Sequence, residues 1–363
     1  MKLLLAGGGT GGHLFPAVAL AQLLLQQDKT AAVQFVGTER GLEQRLLPKL
    51  GLPLATVDMV GVVGRGWRGR LELIPKLLKS LFQANKILAS FQPDVVVGVG
   101  GYASVPVLLA AKMRGVPYLI HEQNAIPGLS NRLLGRWAKA VCLSVANSDA
   151  GFNEAKTVLT GNPLRQGFED ITAEIAVPGK LLVFGGSQGA RAINETVIEM
   201  LPLLKSWEPK PEILHQTGEA DFHQVQQAYR QAGFDPQQVV PFIDDMLTAY
   251  AQASLVICRA GATTLAELTS CGRAAILIPL PQAAGDHQTA NARSLEKVGA
   301  AKLIPQADLT ADRLAAVVKE LFEDREELKR MAEQGRQIGF HGAAGRILNE
   351  CRRVLEMAPL EGD

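Results

Sequence analysis

The chain has little of the chemistry that would fix a function at a glance. Four cysteines, Cys142, Cys258, Cys271 and Cys351, are scattered through 363 residues, with no CxxC pair and no His/Cys cluster at metal-ligand spacing. That argues against a disulfide scaffold or a zinc ribbon and leaves reduced, structural thiols. Long apolar runs are missing as well. The opening Met1–Ala6 run breaks into glycines, too short for a signal peptide or for the ~20 residues of a spanning helix, so a cytoplasmic chain is expected. There is no long polar tract and no low-complexity segment, which excludes extended disorder. No DxD-like acid pair ends a strand in the loop motifs below, and no metal is expected to be required.

What is present is the composition of a folded protein, 47% apolar and 20% charged. The length is well above the roughly 150 residues of one domain, so two cores are expected. Short apolar runs alternate with helical segments, the pattern of a parallel sheet covered by helices. Strands are predicted at 2–6, 32–37, 53–57, 94–99, 117–120 and 139–143, and again at 180–184, 212–216, 238–242, 254–258, 274–278 and 301–304. Two Rossmann-like, doubly wound α/β domains follow, facing a cleft at the carboxyl ends of their strands. The expected division is a first domain at 1–160, a linker at 161–178, a second domain at 179–340, and a C-terminal helix and tail at 341–363 able to return to the first domain. Gly335 and Gly342 read as turns that interrupt the last helices.

Net charge is +1, but residues 1–160 hold 17 Lys and Arg against 9 Asp and Glu, giving +8, while the remainder holds 20 against 27, giving −7. The basic surplus centres on 60–86, where Arg65, Arg68, Arg70, Lys76, Lys79 and Lys86 face only Glu72. Leu73, Ile74, Leu77, Leu78, Leu81 and Phe82 form a helical apolar stripe there, opposite Glu72, Lys76, Lys79 and Gln83, which suits a helix packed on its own sheet. The preceding loop mixes Val62, Val63 and Trp67 with arginines, a composition fitted to an anionic membrane surface.

Three strand-to-helix loops carry the chemistry. Gly7-Gly8-Gly9-Thr10-Gly11-Gly12-His13 follows the first strand and leads into a helix with Pro16 in its first turn. Glycines let backbone approach an oxygen-rich group, and a helix N-terminus adds N–H donors and a positive dipole end. Gly7, Gly9 and Gly12 also satisfy the dinucleotide GxGxxG spacing, with Glu39 standing in for its ribose-binding acid. His13 is either a helix cap or a general base; a helix N-terminus disfavours the imidazolium, which suits a base. In Gly185-Gly186-Ser187-Gln188-Gly189-Ala190, Ser187 either caps a helix or helps to bind an anion. In the third, Cys258–Glu267, Thr264-x-x-Glu267 has capping-box spacing, the alternative being that Glu267 accepts both hydroxyls of a ribose. A fourth segment, Gly285–Asn291, opens another helix with amides able to read sugar hydroxyls.

GGGTGGH at 7–13, HEQN at 121–124, TGNPLR at 160–165, GGSQGA at 185–190, PFIDDM at 241–246, RAGATTLAE at 259–267 and DHQTANA at 286–292 together resemble the MurG family, in the family's order and over essentially the whole chain. The resemblance implies a GT-B fold and inverting transfer of N-acetylglucosamine from UDP-N-acetylglucosamine to the 4-hydroxyl of the muramyl sugar of an undecaprenyl diphosphate, converting lipid I to lipid II in peptidoglycan synthesis. It further implies that Glu267 holds the ribose, the backbone of Ile243 the uracil, and Ser187 and the helix start Ala262, Thr263, Thr264 and Leu265 the diphosphate, with Gln188 beside Ser187 also binding substrate. Gln288 would read the sugar hydroxyls, Arg165 would reach in from the inter-domain side, Thr10, Gly11, Gly12 and Asn124 would line the opposite wall, and His13 would be the catalytic base. Where some members have paired glutamines, this sequence has His287-Gln288, so only Gln288 carries over. The implied setting is peripheral, on the cytoplasmic face of the inner membrane, held through the 60–86 region beside other cell-wall synthesis proteins and without nucleic acid.

The same residues leave other readings open. These are a UDP-sugar epimerase, a glycolipid synthase of related fold, an NAD-dependent dehydrogenase using the first glycine loop alone, and a non-catalytic nucleotide-binding scaffold.

Overall fold

The structure, a computed structural model, describes residues 1–39, 41–59, 73–146, 148–172, 179–281, 283 and 286–360. The loop holding Val62, Val63, Arg65, Trp67, Arg68 and Arg70, positions 173–178 of the expected linker, and Gly285 lie outside the described residues. Two compact units emerge: Met1–Arg165 with Gly342–Asp363, and Gln166–His341.

The first unit runs β1 (Lys2–Gly7), α1 (Gly11–Gln27), β2 (Ala32–Gly37), α2 (Glu43–Leu46), β3 (Leu54–Thr56), α3 (Leu73–Phe91), β4 (Val95–Gly100), α4 (Ser104–Met113), β5 (Tyr118–Glu122), α5 (Leu129–Gly135), β6 (Ala140–Leu143) and β7 (Thr157–Leu159). All seven strands are parallel, in the order β3-β2-β1-β4-β5-β6-β7. Strand direction of travel reverses between β1 and β4, which makes that gap the switch point. Alternation along β1 serves two cores: Leu3 and Leu5 join Val95, Val97 and Leu119 on one face, while Leu4 and Ala6 join Val96 and Ile120 on the other. Burial on both faces explains why these strands read as continuous apolar runs.

The second unit runs β8 (Lys180–Phe184), α6 (Arg191–Leu204), β9 (Glu212–Gln216), α7 (Phe222–Ala232), β10 (Val239–Val240), α8 (Met246–Gln252), β11 (Leu255–Cys258), α9 (Ala262–Cys271), β12 (Ala275–Leu277), α10 (His287–Lys297), β13 (Ala301–Leu303), α11 (Ala311–Glu323) and α12 (Arg325–Ile338). Its sheet order is β10-β9-β8-β11-β12-β13, again all parallel, with the switch point between β8 and β11. Phe168, fully buried, packs its ring edge-on against Tyr250 at 5.7 Å, so the chain just after Arg165 is anchored in this unit. The last helix, α13 (Ala343–Val354), belongs to the first unit, where Ile347, Leu348 and Cys351 are fully buried among Leu14, Val18 and Leu24.

Several local expectations are corrected. Because α1 begins at Gly11, Pro16 lies in its second turn. Gly335 sits inside α12 rather than at a turn, and it faces Ala300 closely. Gly342 does mark a break, as the N-cap of α13 at φ 69°. The β7 strand was not anticipated. The α3 stripe is rotated: Ser80, Ala84 and Leu88 are its buried line, flanked by Leu77, Leu81, Ile87 and Phe91, because small side chains let the helix lie close to α4. Leu78 and Phe82 therefore point outward, 62% and 60% exposed. No described helix is long and apolar enough to cross a membrane.

Candidate active site

In the first unit the loop after β1 threads a narrow path. Gly7, Gly8 and Gly9 have φ of 151°, 152° and 89°, values open chiefly to glycine. A side chain on Gly7 would strike the Gly100 carbonyl, and one on Gly101 would come 2.6 Å from the Gly8 carbonyl oxygen. The loop ends at Thr10, the N-cap of α1, whose carbonyl accepts from the His13 and Leu14 N–H groups. His13 is the third residue of the helix and not its cap, which corrects the capping reading. Its half-buried ring lies on Gly100, with Cδ2 only 2.7 Å from where a β-carbon would stand, and its Nδ1 is 3.2 Å from Thr10 Oγ1. The imidazole is thus seated at the switch point of this sheet.

The neighbouring strand ends complete the surroundings. Gln123, buried after β5, donates from Nε2 to the Val99 carbonyl (2.7 Å) and to His121 Nδ1 (3.1 Å). Burial holds the His121 pKa down at about 4. Asn124 is oriented by Glu122, whose Oε1 accepts from the Asn124 N–H (3.0 Å) and Nδ2 (3.2 Å), while Oε2 accepts from Gly128 N–H and Asn131 Nδ2. Arg165 stacks its guanidinium 4.5 Å from the Phe15 ring centre, and Phe15 also crowds Gly11. Thr10, Gly11, Gly12, His13 and Arg165 are thereby brought to one place. Glu39 is exposed and does not serve the loop; buried Glu43 does.

In the second unit the loops after β8 and β11 flank the other switch point. Gly186, Ser187 and Gln188 are exposed, and the cap of α6 is Ala190 with no side-chain bond, so Ser187 caps nothing. Gly189 has φ 75° and no room for a β-carbon against the Thr217 carbonyl. Buried Gln216 donates to the Gly186 carbonyl (2.9 Å) and the Pro241 carbonyl (3.5 Å), tying this loop to the segment that holds Ile243. Ile243 itself is buried.

Helix α9 is capped by Gly261, which places Thr264 inside the first turn and rules out a Thr264–Glu267 capping box. Ala262, Thr263 and Thr264 form that turn, and the first N–H groups of any helix lack an intrahelical acceptor. Leu265 N–H already bonds the Gly261 carbonyl (3.0 Å). Glu267, buried on the inner face, accepts at Oε2 from the hydroxyl of Tyr250 (3.1 Å). Tyr250 is itself fully buried, and desolvation and the Glu267 charge both raise its pKa. Gln288, in the first turn of α10, accepts from the Leu280 N–H at Oε1 (3.0 Å). Among the described residues no group of three or more His, Cys, Asp or Glu is placed to hold a metal ion. Sequence reasoning missed Glu43, Gln216 and Tyr250, each of which acts through a partner at least 17 residues away.

Residues 3–143 match the glycosyltransferase family 28 N-terminal domain and residues 180–347 the glycosyltransferase family 28 C-terminal domain. The chain is 56% identical over 354 residues to a Syntrophotalea carbinolica protein named UDP-N-acetylglucosamine--N-acetylmuramyl-(pentapeptide) pyrophosphoryl-undecaprenol N-acetylglucosamine transferase, covering 98% of this chain and 99% of that one. Among solved structures it is similar to Acinetobacter baumannii MurG (TM-score 0.77, 36% identity, 97% and 99% coverage). An S. aureus MnaA–UDP structure shares the fold at TM-score 0.69 and 14% identity, covering 99% and 98% of the two chains.

Proposed function

We propose, from the premise that this chain belongs to glycosyltransferase family 28, that it transfers N-acetylglucosamine from UDP-N-acetylglucosamine to the muramyl 4-hydroxyl of lipid I, yielding lipid II. The observation that carries the reading is that the second sheet's switch point is flanked by the 185–190 loop and the α9 N-terminus, with Glu267 behind them. Glu267 takes the ribose hydroxyls, the Ile243 backbone the uracil, and Ser187, Gln188 and the Ala262–Leu265 turn the diphosphate. Gln288, its Oε1 engaged by Leu280, turns its amide N–H groups to the sugar.

In the reaction the acceptor oxygen forms a bond to the anomeric carbon as the bond from that carbon to the UDP oxygen breaks. The hydroxyl proton passes to His13 Nε2, while Nδ1–H donates to Thr10 Oγ1 and fixes the tautomer. Thr10, Gly11, Gly12, Asn124 and Arg165 position the acceptor. Charge developing on the departing UDP is met by fixed N–H dipoles. Transfer of labelled N-acetylglucosamine to a short-chain lipid I analogue tests donor, acceptor and reaction together. His13→Ala is expected to lower that rate by ~10²–10⁴-fold, and near-parental turnover would remove His13 from the role.

The lipid-borne acceptor also calls for a membrane-facing surface. Leu78 and Phe82 on α3 are exposed, as are Met113 and Trp137; Asn85 of α3 accepts from Arg114 (3.0 Å), and Lys112 Nζ lies 3.3 Å from the Trp137 ring centre. Lys86 stands 5.0 Å from the Phe82 ring. Exposed apolar side chains set among Lys86, Lys112 and Arg114 suit the headgroup boundary of an anionic leaflet. This face supports a peripheral position on the cytoplasmic side of the inner membrane.

A further inference from the structure

Among the described residues of the first unit, Glu43 is the most completely buried acid, with no exposed surface, and no role above requires it. Its Oε2 accepts from the Gly9 N–H (2.8 Å), and its Oε1 from the Thr38 N–H (2.9 Å) and Thr38 Oγ1 (3.0 Å). Three glycines make the space for it. A β-carbon on Gly8 or Gly37 would fall 2.6–2.8 Å from its atoms, and one on Gly41 would overlap the carboxylate outright. Glycines from the loop after β1, from β2 and from the approach to α2 therefore converge on one charged group. Burying a charge among neutral donors is costly unless every oxygen is bonded, so its placement calls for a reason.

The opposite side of the loop supplies one. Gly7 and Gly8 are pressed against Gly100 and Gly101, and Gly100 is also the floor under the His13 ring. Glu43 thus holds one wall of the Gly8-Gly9 segment while the end of β4 forms the other. The segment then runs directly into Thr10, which caps α1 and contacts His13 Nδ1.

We infer that Glu43 is a positioning residue that sets the height and orientation of the Thr10–His13 pair by clamping the backbone at Gly9. This rests on the reading of His13 as the base. A glutamine has the same shape, but its NH₂ must face either Gly9 N–H or Thr38 N–H, donor against donor, so that one side of the clamp opens.

The test is a double-mutant cycle in the full chain, read as labelled sugar transfer and as UDP binding by calorimetry. Glu43→Gln is expected to lower kcat at least tenfold, with the KM for UDP-N-acetylglucosamine and the affinity for UDP within twofold of the parent. Added to His13→Ala, it is expected to cost nothing more, because it acts through the imidazole. An equal further loss in the His13→Ala background would show a general structural role and overturn the inference, as would parental kcat in Glu43→Gln. An active His13→Ala protein would instead sink the reading of the base itself. If Glu43→Gln does not fold, Thr38→Val removes one donor to the carboxylate without introducing a new one. It should lower kcat severalfold with the same non-additivity, and additive behaviour there refutes the clamp equally.

Discussion

Replacing Leu78 and Phe82 by serine should detach the protein from lipid while leaving its fold intact. Both residues are about three-fifths exposed, so their removal leaves no cavity in the core, and unfolding stability should stay within about 0.5 kcal/mol of the parent. Full burial of a leucine or phenylalanine side chain is worth about 1.5–3 kcal/mol. Moving the exposed fraction of each into the acyl boundary is then worth about 1–2 kcal/mol, or about 2–4 kcal/mol for the pair. At 1.4 kcal/mol per factor of ten, binding to vesicles containing anionic lipid should fall roughly 30- to 700-fold. Co-sedimentation with sucrose-loaded vesicles measures this directly. Salt should weaken binding of the parent and the variant alike, since Lys86, Lys112 and Arg114 remain. Equal sedimentation of parent and double variant at low salt would show that α3 is not the docking face.

Further outcomes follow from the two sites. Tyr250→Phe keeps the ring between Phe168 and Phe184 but deletes the donor to Glu267; a buried bond to a charged group contributes about 1.5–3 kcal/mol, so the melting temperature should drop by roughly 3–12 °C, and an unchanged melting curve would mean that Glu267 is held by other groups. Thr10→Val removes the hydroxyl facing His13 Nδ1 and should lower kcat about tenfold with donor affinity unaltered; equal kcat would show that the tautomer is set elsewhere. His121 and His215 are fully buried and held neutral by desolvation, with pKa values of about 4 and about 3 against an ordinary 6.5. The unfolded chain binds their protons first, so stability is complete above pH 6.5 and should fall by about 2.7 kcal/mol per pH unit for the pair between pH 6 and pH 4. Denaturant titrations across that window check the slope, which His215→Gln should roughly halve.

Most of the fold is legible from periodicity because parallel strands buried on both faces leave continuous apolar runs, as Leu3-Leu4-Leu5 and Val95-Val96-Val97 do. Thr157–Leu159, which closes one edge of the first sheet, was not separated from the surrounding loop. Helix caps were misplaced as well. Ser187 and Thr264 have the right chemistry and spacing, yet Ala190 and Gly261 are the residues whose backbone turns from extended to helical, and backbone geometry decides the cap. The α3 stripe had the correct period and the wrong phase, since Ser80 and Ala84 win the inward side through their small size rather than their hydrophobicity. In the candidate site, the residues carried on loops were visible as motifs. The side chains that brace those loops, Glu43, Gln216 and Tyr250, were not, because each is defined by a partner that only the folded chain brings near.

The return of α13 to the first unit carries a consequence for biosynthesis. Ile347, Leu348 and Cys351 fill a core begun by Leu3 and Leu14, so the amino-terminal half emerges from the ribosome long before its own last helix exists. At translation speeds of about 5–20 residues per second, the gap between residues 165 and 342 amounts to roughly 10–35 s. The second unit, continuous in sequence from Gln166 to His341, is free to mature within that interval. Its partner must wait with an apolar groove along α1 open to chaperones.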